Sequence, residues 1–541
     1  MQGLMMDSQL LISSVLRFAE ANFPNSEIVS VTHDNPRYRY TYKDLFRRSR
    51  QLANALARLG VSGDNRVGTL AWNDHRHLEL YYGVSCAGHV LHTINPRLFI
   101  EQLEFIINHA ADKVLFIDPV FIGIVDELRS KLPAVEHVVV LSDREHMPAG
   151  RDDLLCYEDL LAAETSEYEW PELDETEASS LCYTSGTTGN PKGVLYSHRS
   201  TILHAYAAAL PDVMGLSARE CVLPLVPMFH VNAWGVPYSV LMTGGKLVLP
   251  GPGMADGEQL HSLINDEGVT YSLGVPTIWL ALLNWLDESG LTLSSLNRIC
   301  VGGAACPQLV IDTMNDRYDV TVHHGWGMTE MSPLGVYNSP KAGTMKLPDE
   351  EFAALQLRQG RGFFGVEMKI VDDAGKEMPW DGKAFGALKV RGAWVCNSYF
   401  GSDESALDED GWFETGDVAT IDADGYMLIT DRSKDVIKSG GEWISSIELE
   451  NTAVNHPGVR EAAVIGMPHP KWSERPLLVV VKQPGADLNA GALLKWFDGK
   501  VASWWVPDAV EFVDELPHTA TGKLNKLSLR EQFAGYQWPS Q

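Results

Sequence analysis

A short segment in the first half of the chain, residues 183–194, reads YTSGTTGNPKGV and combines three glycines, four serine or threonine hydroxyls and one lysine. Glycine lets a backbone turn tightly and approach a ligand with no Cβ in the way. Successive amides can then form an anion-binding nest, to which Lys192 adds a positive charge. The string differs from the Walker A pattern, because Pro191 stands where that pattern has a glycine. It predicts a loop that holds a polyphosphate; the alternative is a surface turn rich in serine and threonine.

The overall balance of residues is that of a folded globular protein. The chain has 541 residues, 45% of them apolar and 21% charged, and this length suffices for roughly two to four domains. Its 43 lysines and arginines face 71 acidic residues, a formal net charge of −28. Such a surface repels nucleic-acid backbones, so no nucleic-acid partner is expected. A small anionic ligand needs a site that lysines, arginines or backbone amides make locally positive.

The spacing of the cysteines and the length of the apolar runs indicate in which cellular compartment the protein is expected. The seven cysteines are odd in number, widely spread and without a CxxC pair, which argues against a disulfide framework and against a zinc site. The N-terminal segment lacks the basic start of a secretory signal, and its apolar residues recur at helical spacing, at Leu10, Leu11, Val15, Leu16 and Phe18. This pattern predicts an amphipathic helix packed on the body, with a membrane anchor as the alternative. No apolar run approaches the roughly 20 residues of a membrane span, so the sequence predicts a cytoplasmic protein with no membrane partner.

Between residues 41 and 300, stretches with helical periodicity alternate with short β-branched runs. The runs lie at residues 65–72, 113–117, 137–141, 246–249 and 270–273. This alternation predicts layered α/β units with largely parallel sheets.

The pattern of the chain changes after residue 360. Short strand patterns with Asp-Gly turn signals among them lie at residues 365–371, 386–391, 418–421 and 426–430, and they predict antiparallel or barrel-like pairing. From Asp431 onward the pattern is that of a small α+β unit. Its expected strands and helices are residues 464–467 and 477–482, and residues 447–455 and 491–501, respectively. The polar stretch DRSKD is the expected boundary, which gives domains of residues 1–431 and 432–541.

Six further blocks follow the phosphate-loop string in chain order. They are PMFH at residues 227–230, VGGA at 301–304, GWGMTE at 325–330, TGD at 415–417, DRSKDVIKSGGEWIS at 431–445 and TATGK at 519–523. With the loop, these blocks resemble the signatures of the adenylate-forming superfamily, which comprises acyl-CoA synthetases, adenylation domains and luciferases. The resemblance implies an α/β fold: a large N-terminal domain of two parallel-type sheets plus a β-barrel subdomain, and a small, mobile α+β C-terminal lid.

The resemblance also implies a reaction in two halves. A carboxylate attacks the α-phosphorus of ATP to give an acyl-adenylate and pyrophosphate, and the thiol of CoA then displaces AMP. Because the first half brings two anions together, it depends on positioning and charge neutralisation. The residues implied in ATP or AMP binding are Thr184, Ser185, Gly186, Thr187, Thr188, Gly189, Lys192, Gly302, Gly303, Ala304, His324, Gly325, Trp326, Gly327, Met328, Thr329, Asp417, Arg432 and Lys523.

Individual roles in the first half-reaction follow from the matched motifs. The loop from Thr184 to Lys192 is expected to hold the β- and γ-phosphates, and Thr329 to contact the α-phosphate. Mg²⁺ is expected at oxygen ligands from Thr184 and Glu330, directly or through water. Lys523 is expected to swing in and bridge the substrate carboxylate and the α-phosphate; otherwise it is a solvated loop lysine. The implied catalytic residues are Thr329, Glu330, Lys523 and His230.

The adenosine of the nucleotide is expected to lie against the small residues 302–304, with the indole of Trp326 stacked on adenine. Asp417 would accept hydrogen bonds from the ribose hydroxyls and Arg432 would donate to them. The alternatives are that Trp326 is a core residue, Asp417 a turn residue and Arg432 a solvated charge.

The second half-reaction points to residues 431–445. Lys434 matches the hinge about which the small domain turns after adenylation. Gly440 and Gly441 would let a narrow pantetheine arm pass, with a plain β-turn as the alternative. The implied CoA-binding residues are Lys438, Gly440, Gly441, Glu442 and Trp443.

The acid is expected to be uncharged and of small to medium size. The implied pocket residues are His230, Val231, Trp234, Gly235, Gly302, Gly327, Met328, Pro333 and Leu334. His230 is expected to gate the carboxylate end, with a satisfied core histidine as the alternative. The segment PMFHVNAWG has no acidic residue for a substrate ammonium, and an unpaired buried charge is costly. Bulky Trp234 favours short chains. The blocks VNAWGVPY, HGWGMTEMSPLG and GRGFFGVEMKIVD resemble those of bacterial medium-chain acyl-CoA synthetases, and this overall resemblance makes 3-methylmercaptopropionate the leading acid. The pocket residues alone do not distinguish it from the alternatives butyrate and hexanoate.

Other functions stay open on the sequence. Within enzymology they are a medium-chain fatty acid–CoA ligase and an adenylate-forming enzyme with another second step, such as a carrier-protein loader or a luciferase-like oxygenase. A non-enzymatic sensor of acyl-AMP or nucleotide is disfavoured by the intact Glu330 and Lys523. Relatives in this superfamily are often homodimers, so a homodimer is expected by analogy alone.

Overall fold

A computed structural model of the chain describes residues 1, 3–184, 190–439, 442–518 and 524–538, and only the backbone of Glu442. It divides into two compact units. The larger unit comprises residues 1–184, 190–367 and 391–413, and the smaller one comprises residues 368–390 and the described residues from 414 onward. No helix in these described ranges has the length and apolar character needed to cross a bilayer. The domain boundary expected at residues 431–432 stays a prediction.

The larger unit alternates helices and strands along most of its length. Its helices are α1 (Ile12–Asn22), α2 (Tyr42–Arg58), α3 (His75–Cys86), α4 (Ile100–Ala110), α5 (Ile122–Leu128), α6 (Tyr157–Ala162), α7 (His198–Ala209), α8 (Val236–Thr243), α9 (Gly257–Glu267), α10 (Pro276–Ser289), α11 (Gln308–Tyr318) and α12 (Asp349–Gln356). Its strands are β1 (Glu27–Ser30), β2 (Tyr38–Thr41), β3 (Arg66–Leu70), β4 (Val90–Thr93), β5 (Val114–Ile117), β6 (His137–Val140), β7 (Leu155–Cys156), β8 (Ala178–Tyr183), β9 (Gly193–Ser197), β10 (Cys221–Pro224), β11 (Lys246–Leu249), β12 (Tyr271–Gly274), β13 (Arg298–Val301), β14 (Thr321–Gly327), β15 (Leu334–Tyr337) and β16 (Gly360–Gly362).

The first sheet of the larger unit has seven strands in the order β7-β6-β5-β3-β4-β8-β9. All neighbours from β7 to β8 are parallel, and β9 alone runs antiparallel, against β8. Strands covered on both faces carry continuous apolar runs, and β5 is such a run, VLFI, with all four residues buried. The carboxyl end of β8 is the start of the phosphate-loop string.

The second sheet of this unit runs in the order β16-β15-β14-β13-β12-β10-β11-β1-β2. Its centre, from β14 to β1, is parallel, and antiparallel strands flank it on both sides. Parallel strands place their carboxyl ends at one edge, where ligands of α/β proteins bind. The block at residues 227–230 follows β10, and the blocks at residues 301–304 and 325–330 begin at the carboxyl ends of β13 and β14 and continue past them.

A buried ion-pair network fixes α3, whose residues are all buried although it begins HRH. The Arg76 guanidinium lies 2.7 Å from the Asp34 carboxylate and 2.8 Å from that of Glu158. Arg48 pairs with Glu79 at 2.6 Å and also with Glu158, at 2.9 Å. Each buried charge therefore has an opposite charge in contact, which burial requires.

The smaller unit contains the strands β17 (Val366–Val371), which begins at its edge, β18 (Phe385–Gly392), β19 (Phe413–Ile421), β20 (Tyr426–Arg432), β21 (Ile437–Ser439), β22 (Glu442–Ile444), β23 (Val459–His469), β24 (Ser473–Lys482) and β25 (Ala509–Phe512), and the helices α13 (Ser446–Val454), α14 (Ala490–Trp496) and α15 (Lys526–Gln532). Strands β17 to β20 neighbour one another in chain order. The last strands form a separate sheet in the order β22-β21-β24-β23, and β25 pairs with β24.

The predicted fold class is confirmed as mixed α/β, with a large sheet-containing unit and a small C-terminal sheet. Closure of β17–β20 into a barrel stays a prediction. Two helices differ from expectation: α14 is shorter, and α1 begins at Ile12, after Leu10 and Leu11, which were expected on its apolar face. Helix α14 ends at Trp496 instead of residue 501, before a turn in which Gly499 has φ +70°. In α1 the buried face is formed by Ile12, Val15, Leu16 and Ala19, while Phe18 is 47% exposed.

Candidate active site

The two described ends of the phosphate-loop string are held together by strand pairing and hydrogen bonds. The antiparallel pair β8–β9 brings Tyr183 opposite Gly193. One step further, the Thr184 amide donates to the Lys192 carbonyl at 2.9 Å, and the Lys192 amide donates to the Thr184 hydroxyl at 3.1 Å. The strand pair thus forms the base of the loop. The predicted ligands Ser185, Gly186, Thr187, Thr188 and Gly189 lie outside the described residues.

The block GWGMTE forms the end of β14 and the turn after it. Met328 donates from its amide to the Pro333 carbonyl at 3.0 Å, which closes the turn. Thr329 and Glu330 begin a short 3-10 segment, and each is 8% exposed. The Tyr196 hydroxyl donates to the Thr329 carbonyl at 2.6 Å. Strand β9, which follows the phosphate loop, is therefore bonded directly to this turn.

Tyr399 contacts both motifs, and sequence reasoning missed it. Its hydroxyl donates to Oε1 of Glu330 at 2.9 Å, and the Lys192 ammonium lies 4.6 Å from its ring centroid. The three residues are far apart in the chain, so only the fold brings them together. The string NSYFG around Tyr399 gives no local signal of this role.

The predicted adenine-binding strand end follows β13. His324 is 1% exposed and its ring nitrogens lie 3.3 Å from the carbonyls of Ala304 and Leu357. Trp326 is 8% exposed and its ring packs over Gly335, since a Cβ added at Gly335 would lie 2.6 Å from it. His324 therefore supports the strand end, and stacking of Trp326 on adenine stays a prediction.

The predicted acid pocket contains a run of left-handed backbone. Val231, Asn232, Ala233 and Trp234 have φ of 42°, 50°, 46° and 56°, and Gly235 has φ 77°. Non-glycine residues in this conformation cost about 1–2 kcal/mol each, and such strain clusters at functional sites. The run places the Trp234 ring over Gly302, where an added Cβ would come within 2.6 Å of Cη2. Partly exposed His230 immediately precedes the run.

The left-handed run is held by Asn232, which is buried. Its amide nitrogen donates to the Ser180 hydroxyl at 3.0 Å, and its carbonyl oxygen accepts from the Tyr81 hydroxyl at 3.2 Å. Asparagine tolerates positive φ better than most residues, but valine and tryptophan do not. These side-chain bonds to β8 and α3 offset the local strain, and periodicity in the sequence gave no sign of the run.

His204 on α7 contacts two predicted pocket residues. The sequence alone did not point to it. Its Nε2 accepts the Leu334 amide at 3.1 Å, and a Cβ added at Gly235 would come within 2.8 Å of its Nδ1. The Trp394 ring packs edge-on against it, and the Trp394 indole donates to the Leu334 carbonyl at 3.2 Å. Burial lowers the pKa of His204 to about 3, so its imidazole is neutral.

Within the smaller unit, the two predicted ribose-binding residues contact each other. Arg432 Nε lies 2.8 Å from Oδ1 of Asp417, and the Asp417 side chain is 2% exposed while that of Arg432 is 48% exposed. Strands β19 and β20 place them opposite each other in register. The pair therefore presents an arginine fixed by a buried carboxylate.

The predicted CoA-binding segment is a hairpin of β21 and β22, with Ser439 opposite Glu442 in register. The Lys438 ammonium lies 5.0 Å from the Trp443 ring centroid and 2.9 Å from the Asp373 carboxylate. Lys434 is an exposed residue in the turn that follows β20. Gly440, Gly441, the side chain of Glu442 and Lys523 lie outside the described residues.

Family comparison matches both parts of the chain. The AMP-binding enzyme family matches residues 16–400, and the AMP-binding enzyme C-terminal domain matches residues 448–523. The chain belongs to the AMP-binding enzyme family. The superfamily predicted from the seven blocks is thereby confirmed.

Relatives of this AMP-binding enzyme include two bacterial ligases of nearly equal similarity. The chain is 54% identical over 534 residues to a 3-methylmercaptopropionyl-CoA ligase of Ruegeria lacuscaerulensis, covering 98% of this chain and 99% of that protein. It is 52% identical over 534 residues to a medium-chain-fatty-acid–CoA ligase of Ectopseudomonas oleovorans, covering 98% of each. Among solved structures it is similar to an anthranilate CoA ligase in complex with anthranoyl-AMP, with a TM-score of 0.83, 28% identity and 96% of each chain covered. It is also similar to ATP-bound MatB from Rhodopseudomonas palustris, with a TM-score of 0.82, 25% identity and 98% and 100% of the two chains covered.

Replacing His204 by glutamine in this AMP-binding enzyme is expected to reduce its sensitivity to acid. The unfolded chain binds a proton at this histidine below about pH 6.5, whereas the buried imidazole stays neutral down to about pH 3. Its contribution to stability is therefore complete above about pH 6.5 and is lost as the pH falls towards 3. Between about pH 7.5 and 5.5, we expect the variant to lose about 1 kcal/mol less unfolding free energy than the wild type. Urea unfolding at the two pH values measures this.

The control for this prediction is His146→Gln, at an exposed histidine. Its imidazole lies 2.7 Å from the Asp143 carboxylate, and this bond raises the pKa of His146. Its replacement should therefore leave the acid-induced loss of stability equal or larger, the opposite of the effect expected for His204→Gln. An acid loss in His204→Gln equal to that of the wild type would contradict the assignment of a buried, neutral imidazole.

Proposed function

We propose that the protein is an ATP-dependent acyl-CoA ligase that activates a small to medium, uncharged carboxylic acid as its acyl-adenylate and then transfers the acyl group to CoA. AMP and pyrophosphate are the other products. The proposal places the enzyme in the cytoplasm, with 3-methylmercaptopropionate as the leading acid. Whether it acts as a homodimer stays a prediction by analogy.

The observation that carries the proposal is the convergence of the Lys192 ammonium and the Glu330 carboxylate on Tyr399. A cation beside a glycine- and hydroxyl-rich loop suits the β- and γ-phosphates. A buried carboxylate next to it suits the metal that accompanies them. Thr329, on the same turn as Glu330, would then be close to the α-phosphate, where the acid attacks.

The donor atoms at this site fit Mg²⁺, which prefers oxygen ligands. Glu330 is 8% exposed and its Oε1 accepts from Tyr399, so its orientation is fixed. The Thr184 hydroxyl already accepts one hydrogen bond, from the Lys192 amide. Glu330 and Thr184 would hold the ion, directly or through water. When bound, it would neutralise phosphate charge.

The residues of the proposed acid pocket support an uncharged substrate. The Trp234 ring packs over Gly302 and presents apolar surface there, and His204, which accepts the Leu334 amide, is neutral. His230 lies at the start of the left-handed run, where we place the gate for the carboxylate. A substrate ammonium would be left without a carboxylate partner among the described pocket residues named here, at considerable cost.

Two relatives of nearly equal similarity are named for different acids, so both acids are candidates. A 3-methylmercaptopropionyl-CoA ligase is 54% identical to this chain and a medium-chain-fatty-acid–CoA ligase is 52% identical. A methylthio propionate is a short chain, and Trp234 stacked over Gly302 leaves little room beyond Gly302. We therefore rank 3-methylmercaptopropionate first and medium-chain fatty acids second.

For the thiol half-reaction, the proposal assigns the β21–β22 hairpin to CoA. The Lys438 ammonium contacts the Trp443 ring and is positioned by its ion pair with Asp373. Residues 432–541 would turn about Lys434 after adenylation, as a lid that brings this hairpin to the adenylate.

The test is a screen for CoA-dependent AMP release over straight-chain, branched, aromatic and methylthio acids. We expect the highest kcat/KM for 3-methylmercaptopropionate, with butyrate and hexanoate next. Failure to release pyrophosphate with any acid in the presence of magnesium would refute the proposal. Pyrophosphate exchange alone is common to all adenylate-forming enzymes, so acid-dependent exchange with no CoA-dependent release of AMP would instead identify a carrier-protein loader or another second step.

Replacing Trp234 by alanine is expected to shift the preference towards longer acids. Removal of the indole from above Gly302 opens the pocket, and each added methylene that finds an apolar contact changes kcat/KM by roughly 10-fold or more. We expect the octanoate to 3-methylmercaptopropionate ratio of kcat/KM to rise at least about tenfold. Steady-state kinetics with the two acids measure this ratio.

Trp285→Ala provides the matched control, because Trp285 lies on α10 and packs against Gly257. It removes the same side chain outside the proposed pocket, so the ratio should stay at the wild-type value. An unchanged ratio in Trp234→Ala would show that Trp234 does not limit chain length.

A further inference from the structure

Residues 396–400 connect two motifs that are far apart in the sequence. At one end, the Cys396 amide donates to the Glu330 carbonyl at 2.8 Å. At the other, the Phe400 amide donates to the Gly193 carbonyl at 2.8 Å. Between them, Cys396 and Tyr399 pack against Cys182, Val194 and Tyr196 of the β8–β9 pair. The segment is thus bonded both to the turn that carries Glu330 and to the strand that follows Lys192.

Tyr399 uses two parts of its side chain for the two charges. Its hydroxyl donates to Glu330 Oε1 at 2.9 Å, and its ring receives the Lys192 ammonium at 4.6 Å from the centroid. The hydroxyl donates to one carboxylate oxygen of Glu330, so it constrains the orientation of that carboxylate while the ring constrains the ammonium.

We infer that Tyr399 is a positioning residue, which sets the orientation of the Glu330 carboxylate and of the Lys192 ammonium before Mg·ATP binds. This inference rests on the proposed function, in which Glu330 holds the metal and Lys192 the phosphates. The ammonium on the ring face is held by a cation–π contact, while the carboxylate is held by a hydrogen bond. Without the tyrosine, the ammonium and the carboxylate lose the contacts that hold them on separate parts of one side chain, and the nucleotide then has to orient both.

Tyr399→Phe separates the two contacts, because it keeps the ring and removes the hydroxyl. We expect the Kd for Mg·ATP, measured by calorimetry without the acid, to rise about tenfold, as for loss of one hydrogen bond to a charged group. The Mg²⁺ concentration for half-maximal adenylation should rise with it. Thioester formation from presupplied acyl-adenylate and CoA should stay within about twofold of the wild type, since it uses no metal–triphosphate complex. Tyr399→Leu, which removes both contacts, should raise the Kd further.

Two comparisons separate positioning from a general structural role. Tyr157→Phe removes a similar bond, since the Tyr157 hydroxyl donates to the Glu79 carboxylate at 2.7 Å in the buried ion network. It should lower the melting temperature and leave the Mg²⁺ dependence unchanged. In a Glu330→Ala background, Tyr399→Phe should change the Mg·ATP affinity by no more than about twofold, because the partner of the hydroxyl is gone.

The outcomes are distinct. An unchanged Mg·ATP affinity and Mg²⁺ dependence in Tyr399→Phe overturns the inference, and so does an equal loss in both half-reactions. A tenfold weakening that persists in the Glu330→Ala background also overturns it. If the wild type binds no Mg·ATP and releases no pyrophosphate, the proposed function itself fails, and the inference fails with it.

Discussion

Lys523→Ala is expected to slow acyl-adenylate formation by about 10²–10³-fold, while thioester formation from presupplied adenylate stays within a few fold of the wild type. The substrate carboxylate and the α-phosphate are both anionic, so the barrier depends on a cation placed between them. Lys523 lies outside the described residues, and this role comes from the family resemblance. The helix that follows, α15, is fixed by Lys526, whose buried ammonium lies 2.7 Å from the Glu450 carboxylate. The substitution should therefore leave the smaller unit folded.

The measurement is single-turnover kinetics of each half-reaction. Pyrophosphate release reports adenylation, and AMP release from synthetic acyl-adenylate with CoA reports the second step. Lys500→Ala, at an exposed lysine of the same unit, is the matched control and should leave both rates unchanged. An equal loss in both half-reactions would contradict the assigned role of Lys523.

Gly327→Ala is expected to lower kcat/KM by about 100-fold, because a displacement of about 1 Å at a catalytic residue costs that much. A methyl group at this position would overlap the carbonyl oxygen of Pro333 and lie 3.0 Å from Cα of Leu334. Both are backbone atoms, which cannot move aside by changing a rotamer. The turn closed by Met328 and Pro333 would open, and Thr329 and Glu330 would move with it. Steady-state kinetics and the Mg·ATP affinity measure the effect.

The control is Gly123→Ala on helix α5, where an added Cβ meets no atom within 4 Å. Alanine is favoured over glycine within a helix by up to about 1 kcal/mol, so activity should be unchanged and stability equal or higher. Normal activity in Gly327→Ala would show that the turn accommodates the methyl group without moving the site.

Local sequence signals predicted the elements of the fold well. The run at residues 246–249 coincides with β11, and the run at 113–117 contains β5, because buried parallel strands are short and continuously apolar. The expected helix at residues 491–501 was too long. Its amphipathic pattern continues past Trp496, but the chain turns there and Gly499 adopts positive φ.

Local sequence signals could not identify the residues that support the site through long-range contacts. Tyr399 and His204 act through partners at long sequence distances, namely Glu330 for the first and Leu334 for the second. A contact of this kind depends on the packing of complete elements, which a linear pattern does not contain. The roles of the motif residues stay predictions; the sequence could suggest them because each block of glycines and polar groups is informative on its own.

In the acid pocket proposed here, the left-handed run at residues 231–234 would restrict how the enzyme can evolve towards other acids. A residue that replaces Trp234 has to adopt the same backbone handedness, which glycine and asparagine do at least cost and β-branched residues at the greatest. Two replacements of similar volume, such as asparagine and valine, are therefore expected to differ in the stability of the folded protein before any acid binds. Variants at this position, natural or engineered, will therefore be limited to residues that tolerate positive φ. The acids that such variants accept will depend on this conformational limit as well as on the volume of the pocket.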